Sequence, residues 1–194
     1  MKKVKHVKEF FDSDFPLKEQ FPRQFEVAFT EISATPNAKV RMTINSHQIG
    51  NVITDNSYSN DFYRFHDIFH FSYVAILSWS PCVRNMLKRK RKSSPKVDEV
   101  EDGARAIITE EAISLLIFSY ARQNNLFTKE SDIDPLLLTT IERLVSDFEV
   151  RERSVDEWKK AILRGYEAFR NLVKYKSGTI RVDMVKRELS YIGH

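Results

Sequence analysis

Residues 61–79 constrain the fold most, because they are predicted to form a long helix that is unusually rich in aromatic side chains. The aromatic residues of this segment include Phe62, Phe65, Phe69, Phe71, Tyr73 and Trp79. Hydrophobic residues make up 42% of the chain, so a sizeable core can be buried. Polar groups interrupt the aromatic set at His66, Asp67 and His70.

Three further helices are predicted downstream. Their starts carry typical signals: an acidic cluster, an Asp-Pro pair, and a Ser-x-x-Glu capping box. The segments are residues 97–123, a helix that begins at Pro135, and a helix that begins after Ser154 and ends before Gly178.

Alternating apolar residues predict short β-hairpins on both sides of the helices. The first pairs residues 24–32 with 40–44 through a turn at 35–38, and a loop around Gly50 follows; the second lies within residues 179–192. We therefore predict a mainly α fold: a bundle of about four helices with a small N-terminal and a possible C-terminal β-hairpin. A single domain is expected over residues 1–194, with a β-rich portion at 20–60, a helical core at 61–175 and a short β tail at 176–194.

The polar residues of the first helix have the spacing of a metal site. His66 and His70 are four residues apart and share a helix face, with Asp67 adjacent on that side. Histidines suit a transition metal such as manganese, while the carboxylate also suits magnesium. The alternative is that these histidines are hydrogen-bonded residues of the core or its edge.

Glu111 is the second candidate, because it lies within an apolar stripe of the second predicted helix. The stripe comprises Val100, Ala104, Ile107, Glu111, Leu115 and Phe118. A buried carboxylate is costly unless it is paired or binds a metal. A salt bridge to another helix, for example to Arg64, is the structural alternative.

Helix geometry limits which acids can share one ion. If the second helix is continuous, Glu101 and Glu111 are about 15 Å apart along its axis. The site therefore contains either Glu111 with the His-Asp cluster, or Glu99 and Asp102 with that cluster. Two metal positions are a third possibility. The helix dipole by itself explains acidic residues at 98–102.

The formal net charge of +4 is concentrated in one place. The run comprises Lys88, Arg89, Lys90, Arg91 and Lys92. Such a run attracts phosphates, whether on nucleotides or on nucleic acid. The alternative is a solvated loop.

The remaining features favour a cytoplasmic protein. The single cysteine, Cys82, allows no intrachain disulfide, which fits a reducing compartment. The N-terminal residues are too polar for a signal peptide. No apolar stretch approaches the roughly 20 residues that span a membrane.

Several separate motifs, spread over most of the chain, resemble one known family. They are residues 21–25 (Phe-Pro-Arg-Gln-Phe), 54–58 (Thr-Asp-Asn-Ser-Tyr), 63–70 (Tyr-Arg-Phe-His-Asp-Ile-Phe-His), 79–81 (Trp-Ser-Pro), 88–93 (Lys-Arg-Lys-Arg-Lys-Ser), 97–103 (Val-Asp-Glu-Val-Glu-Asp-Gly) and 110–112 (Glu-Glu-Ala), with 158–166 and 182–183 in the tail. Together they resemble the C-terminal domain found in some MazG-like nucleotide pyrophosphohydrolases.

This resemblance implies a chemistry. The larger group, the all-α nucleoside triphosphate pyrophosphohydrolases, releases monophosphate and pyrophosphate using magnesium held by carboxylates on two helices. Its signature is Glu-Glu-x-x-Glu on one helix and Glu-x-x-Asp on the next. Here Glu99 and Asp102 match the second motif, whereas His66, Asp67 and His70 replace the first. This departure leaves open a different metal, a different phosphohydrolase reaction, or a companion domain without catalysis.

Two hypotheses follow. In the first, the chain is a nucleoside triphosphate pyrophosphohydrolase that uses a divalent ion, Mg²⁺ or Mn²⁺. The expected metal ligands are His66, Asp67, His70, Glu99, Asp102 and Glu111, with Asp67 and Glu111 also catalytic. The expected phosphate-binding residues are Lys88, Arg89, Lys90, Arg91, Lys92 and Arg105. The resemblance also implies a homo-oligomer.

In the second hypothesis, the chain is a non-catalytic module whose polar cluster is structural and whose basic run binds nucleic acid or an acidic partner.

Overall fold

The computed structural model describes residues 8–33 and 38–193. These residues form one five-stranded antiparallel sheet and six α-helices. The strands are β1 Gln24–Ser33, β2 Lys39–Ile44, β3 His47–Ile53, β4 Ser177–Asp183 and β5 Glu188–Gly193. The helices are α1 Ile68–Leu77, α2 Pro81–Met86, α3 Pro95–Val100, α4 Ala104–Ala121, α5 Pro135–Leu144 and α6 Val155–Tyr175.

The sheet joins the two ends of the described chain. Its strand order is β3-β2-β1-β4-β5. The predicted pairing of β1 with β2 is confirmed, with Phe29 opposite Met42, and so is the C-terminal hairpin of β4 and β5. On its other side β1 pairs with β4, with Val27 opposite Ile180. Most of the turn predicted at 35–38 lies outside the described residues.

The prediction of a mainly α bundle with small hairpins is therefore wrong. The fold is α/β, because the strands form one five-stranded sheet. An isolated two-stranded hairpin is marginally stable, whereas a larger sheet with one face on a core is stable. The β1–β4 pairing links residues far apart in sequence, so local patterns do not reveal it. The segment around Gly50, predicted as a loop, belongs to β3, whose mostly exposed residues give no clear apolar alternation.

Helix α1 lies at the centre of the molecule, and every one of its residues is buried. Toward the sheet, the Phe71 ring contacts Phe25 and Phe29, and toward α6 the Phe69 ring contacts Tyr166. Apolar residues all around a helix are typical of such complete burial. Neither α1 nor any other helix in the described ranges is long and apolar enough to cross a membrane.

The second predicted helix is interrupted at Gly103. A Cβ atom at this position would lie 2.0 Å from the carbonyl oxygen of Glu99, so the close approach of α3 and α4 requires glycine. The break means that Val100 and the residues of α4 do not share one helical stripe. By contrast, Asp134 caps α5 and Ser154 caps α6 as predicted.

Candidate metal centre

Four side chains converge where the start of α1 meets α4. The Nε2 atom of His66 lies 3.3 Å from Asp67 Oδ1 and 4.0 Å from Glu111 Oε2. The Nε2 atom of His70 lies 3.7 Å from the same Asp67 oxygen and 3.6 Å from Glu111 Oε1. The structure thus brings Glu111 together with the three polar residues of the first predicted helix.

Both imidazole rings are oriented by hydrogen bonds at Nδ1. His66 donates from Nδ1 to the Tyr63 carbonyl over 2.9 Å, and its ring stacks on Tyr63 at 4.1 Å. His70 donates from Nδ1 to Glu110 Oε1 over 2.8 Å. When each neutral ring carries its proton at Nδ1, the Nε2 lone pair faces the cluster and is free to bind a cation.

Glu110 is the functional residue that the sequence analysis missed. Its side chain is 0% exposed. Besides the bond from His70, it accepts hydrogen bonds from Ser80 Oγ over 2.6 Å and from the Cys82 backbone N–H over 2.8 Å. It therefore joins α4 to α1 and to the start of α2. Carboxylates that orient a histidine in this way are common around metal ligands.

The arrangement fits a divalent metal ion. His70 Nε2 is buried and has no hydrogen-bond partner among the described residues. Asp67 is buried at the N-cap of α1, yet its side chain does not cap the helix. Ligand atoms around a tetrahedral ion with metal–nitrogen bonds of about 2.0–2.1 Å lie roughly 3.4 Å apart. The three separations of 3.3, 3.6 and 3.7 Å are close to that value, and the fourth, between His66 and Glu111, is longer at 4.0 Å.

The surroundings shift the pKa values of all four groups. Burial lowers the pKa of His66 and raises that of Asp67. Burial also acts to lower the pKa of His70, but Cys82 and Glu110 together raise it well above its ordinary value. The nearby His70 ring, with Nε2 at 3.6 Å, lowers the pKa of Glu111 to about 2, despite partial burial. A metal ion would therefore displace a proton from His70 as it binds.

The cluster opens onto a cleft of about 610 Å³. One wall is formed by β3 and the residues after it, including Asn51, Thr54 and Asn56, and another by Asn85 and Met86 of α2. Among the described residues that line this cleft, none is lysine or arginine. A larger cleft of about 860 Å³ lies elsewhere and contains none of the predicted site residues.

Comparison with known protein families matches residues 6–194 to the MazG C-terminal domain. The chain belongs to that family. No curated protein and no solved structure matches it. The membership supports a relationship to MazG-like nucleotide pyrophosphohydrolases, and the centre described above lies within this MazG C-terminal domain.

Two of the predicted metal ligands lie apart from the centre. Glu99 is 74% exposed and pairs with Lys96 at 3.5 Å. Asp102 is buried, and both of its oxygens accept hydrogen bonds from Arg91. Asp102 therefore neutralises the buried guanidinium group of Arg91.

The predicted phosphate-binding residues have divided roles. Arg91 is 1% exposed and pairs with Asp102 and Glu149 at 2.7 Å each. Arg89 donates to the backbone carbonyls of Leu17 and Gln20.

The other four cations lie nearer to solvent. Lys90 is 3.4 Å from Asp98, and Lys88 and Lys92 are exposed. Arg105 is 82% exposed and lies 3.7 Å from Asp147. The basic run is thus partly a structural element.

Proposed function

We propose that this MazG C-terminal domain binds a divalent metal ion through His66, Asp67, His70 and Glu111. With this ion it hydrolyses nucleoside triphosphates to monophosphate and pyrophosphate. The observation that carries the proposal is the unpartnered, buried Nε2 of His70, which faces two carboxylates next to a cleft. The ligand set favours manganese over magnesium, because imidazole nitrogens suit transition metals.

The residues of the proposed centre would take different chemical roles, because their environments differ. A divalent ion in such a centre neutralises phosphate oxygens and activates water. The low pKa of Glu111, about 2, keeps its carboxylate ionised and suits a metal ligand. Burial raises the pKa of Asp67, which makes it the better proton acceptor for an attacking water. Glu110 keeps His70 in the orientation that the centre requires.

The cleft offers neutral groups to the substrate. The side-chain amides of Asn51 and Asn56 can donate to phosphate or sugar oxygens, and the Thr54 hydroxyl donates to Asn56 Oδ1 over 2.8 Å, which orients that amide. Val52 and Ile107 give the cleft apolar surface for a base. Because cations are absent from the described lining, the phosphate charge must be met by metal ions.

The lack of lysine and arginine in the described lining favours a second candidate function. In a companion domain, the centre would bind a metal ion for stability, and no nucleotide would be turned over. Metal binding is common to both candidates, so hydrolysis is the measurement that separates them.

The test uses chelator-treated protein with added Mn²⁺ or Mg²⁺, measuring melting temperature and turnover of each canonical nucleotide. An ion at a hundred times its Kd stabilises the folded state by about 2.7 kcal/mol. We expect this stabilisation, and slow turnover, in the wild type. Both should be lost in Glu111→Gln.

Glu99→Gln is the matched control, because it removes an exposed carboxylate outside the centre. It should retain both metal stabilisation and turnover. Metal stabilisation without turnover would favour the companion domain. A wild type that no divalent ion stabilises would contradict the metal centre itself.

A further inference from the structure

We propose that Cys82 is a ligand for zinc, so that this centre accepts a thiophilic ion through Cys82, His70 and Glu111. The inference rests on the proposed metal centre and adds a regulatory property to it. Zinc would share two ligands with the catalytic ion and would compete with it.

The thiol lies close to Glu111, whose carboxylate also approaches His70 Nε2. Cys82 Sγ is 3.6 Å from Glu111 Oε1, and that oxygen is 3.6 Å from His70 Nε2. Ligand atoms of His70, Cys82 and Glu110 all lie within 4.8 Å of one another. Cys82 and Glu111 also line the same cleft, so an ion can reach both from solvent.

The buried Nε2 of His70 is the second observation that points to a cation here. This atom has no hydrogen-bond partner among the described residues, although its ring is fixed by Glu110. The thiol contacts Glu111 Oε1 and, at 3.9 Å, the Ile107 carbonyl. Its backbone N–H is bound to Glu110, so the position of the sulfur is set by the main chain.

Distances and ligand chemistry favour zinc. With zinc–sulfur bonds of about 2.3 Å and zinc–oxygen bonds of about 2.1 Å, sulfur and oxygen ligands of a tetrahedral ion lie roughly 3.6 Å apart. The Cys82 and Glu111 atoms have this separation, 3.6 Å. Thiolate selects zinc, whereas magnesium and manganese prefer carboxylate and water oxygens. The thiol proton is released to solvent when the sulfur binds the ion.

The two ions therefore use overlapping sets of ligands. Manganese would take His66, Asp67, His70 and Glu111, and zinc would take Cys82 with His70 and Glu111. Because His70 and Glu111 are shared, bound zinc would exclude manganese and inhibit the proposed hydrolysis.

The experiment compares the metal-free wild type with Cys82→Ser and Cys82→Ala. Co²⁺, a spectroscopic substitute for zinc, is titrated while the ultraviolet absorption of a thiolate–cobalt bond is recorded. Cys82 is the single cysteine of the chain, so such absorption has one source. Zn²⁺ and Mn²⁺ affinities are measured by calorimetry on the same samples.

We expect thiolate–cobalt absorption in the wild type and none in either variant. Zinc affinity should fall by at least roughly tenfold in both variants, the lower end of losses around metal ligands. Manganese affinity should be unchanged. Wild-type protein that binds manganese without thiolate–cobalt absorption would overturn the role of Cys82 alone. An equal loss of zinc and manganese affinity would also overturn it, because that result indicates a disturbed scaffold. If no ion binds the wild type, the proposed function fails as well.

Discussion

Glu110 and Glu111 are adjacent residues of α4 with different environments. Glu110 is fully buried and accepts three hydrogen bonds from three different residues. Glu111 is 44% exposed and faces the cleft. Consecutive helical residues point about 100° apart, so one carboxylate can fix the scaffold while its neighbour remains available to an ion.

Glu110→Gln should separate these roles. An amide nitrogen cannot accept a hydrogen bond, so one of the donors at His70, Ser80 or Cys82 loses its acceptor. We expect the free energy of unfolding in chelator to fall by about 1–3 kcal/mol, the cost of a buried unsatisfied polar group. Manganese affinity should also fall, because a neutral amide accepts the His70 hydrogen bond more weakly than a carboxylate does. Urea unfolding and calorimetry measure the two effects.

Ser80→Ala is a useful comparison, because it removes one hydrogen bond to Glu110 and leaves the His70 bond intact. It should lower stability while leaving most of the manganese affinity. If Glu110→Gln binds manganese as tightly as the wild type, Glu110 has no orienting role.

The sequence analysis grouped Glu111 with the His-Asp cluster, as the structure does, but placed Glu111 on the buried face of α4, where the structure has Glu110. His66, Asp67 and His70 could be found because their spacing lies within one turn. The apolar stripe through Glu111 assumed a helix that continues across Gly103. In the structure, the buried face of α4 includes Ala106, Glu110, Ile113, Ile117 and Ala121.

At the scale of elements, the junction of α3 and α4 sets where α4, the helix that carries Glu110 and Glu111, begins. Gly103 is buried between the two helices, and its backbone is extended. The close contact with the Glu99 carbonyl leaves no room for a side chain. Gly103 therefore allows α4 to begin directly after α3, with the two helices in close contact.

Gly103→Ala should destabilise the fold. The added Cβ would meet a backbone oxygen, which cannot move as a flexible side chain would. Overpacking of this kind costs about 1–3 kcal/mol, measured as a lower midpoint of urea unfolding. Glu99→Ala is the control, because it keeps the carbonyl and removes an exposed side chain. Equal stability of Gly103→Ala and wild type would show that the junction adjusts freely.

Local signals predicted elements better than their assembly. The sequence predicted the caps at Asp134 and Ser154 and both hairpins, because each depends on residues that are close in sequence. The sequence did not predict the pairing of β1 with β4, because these strands are far apart in the chain and become neighbours only in the folded protein. Strand β3, which forms one wall of the cleft, was missed for lack of an alternating pattern.

At the scale of the whole molecule, Arg84 of α2 and Arg89 of the basic run hold the segment before β1 against the helices. Arg84 donates to Asp12 and to the Glu19 carbonyl, and Arg89 donates to Leu17 and Gln20 carbonyls. These bonds connect parts of the chain more than 60 residues apart. Arg89 and Arg91 of the basic run therefore act within the fold, whereas Lys88 and Lys92 remain exposed.

Arg91→Ala and Lys92→Ala test this view on adjacent residues of the run. Arg91 is buried between Asp102 and Glu149, so its loss leaves two carboxylates without their shared cation. Removing one partner of a buried ion pair costs about 3–5 kcal/mol. Lys92 is exposed, and the loss of an exposed charge changes stability by less than about 1 kcal/mol. Urea unfolding of both variants should therefore show a large loss for Arg91→Ala and almost none for Lys92→Ala. Equal, small losses would instead mean that the whole run is a solvated segment.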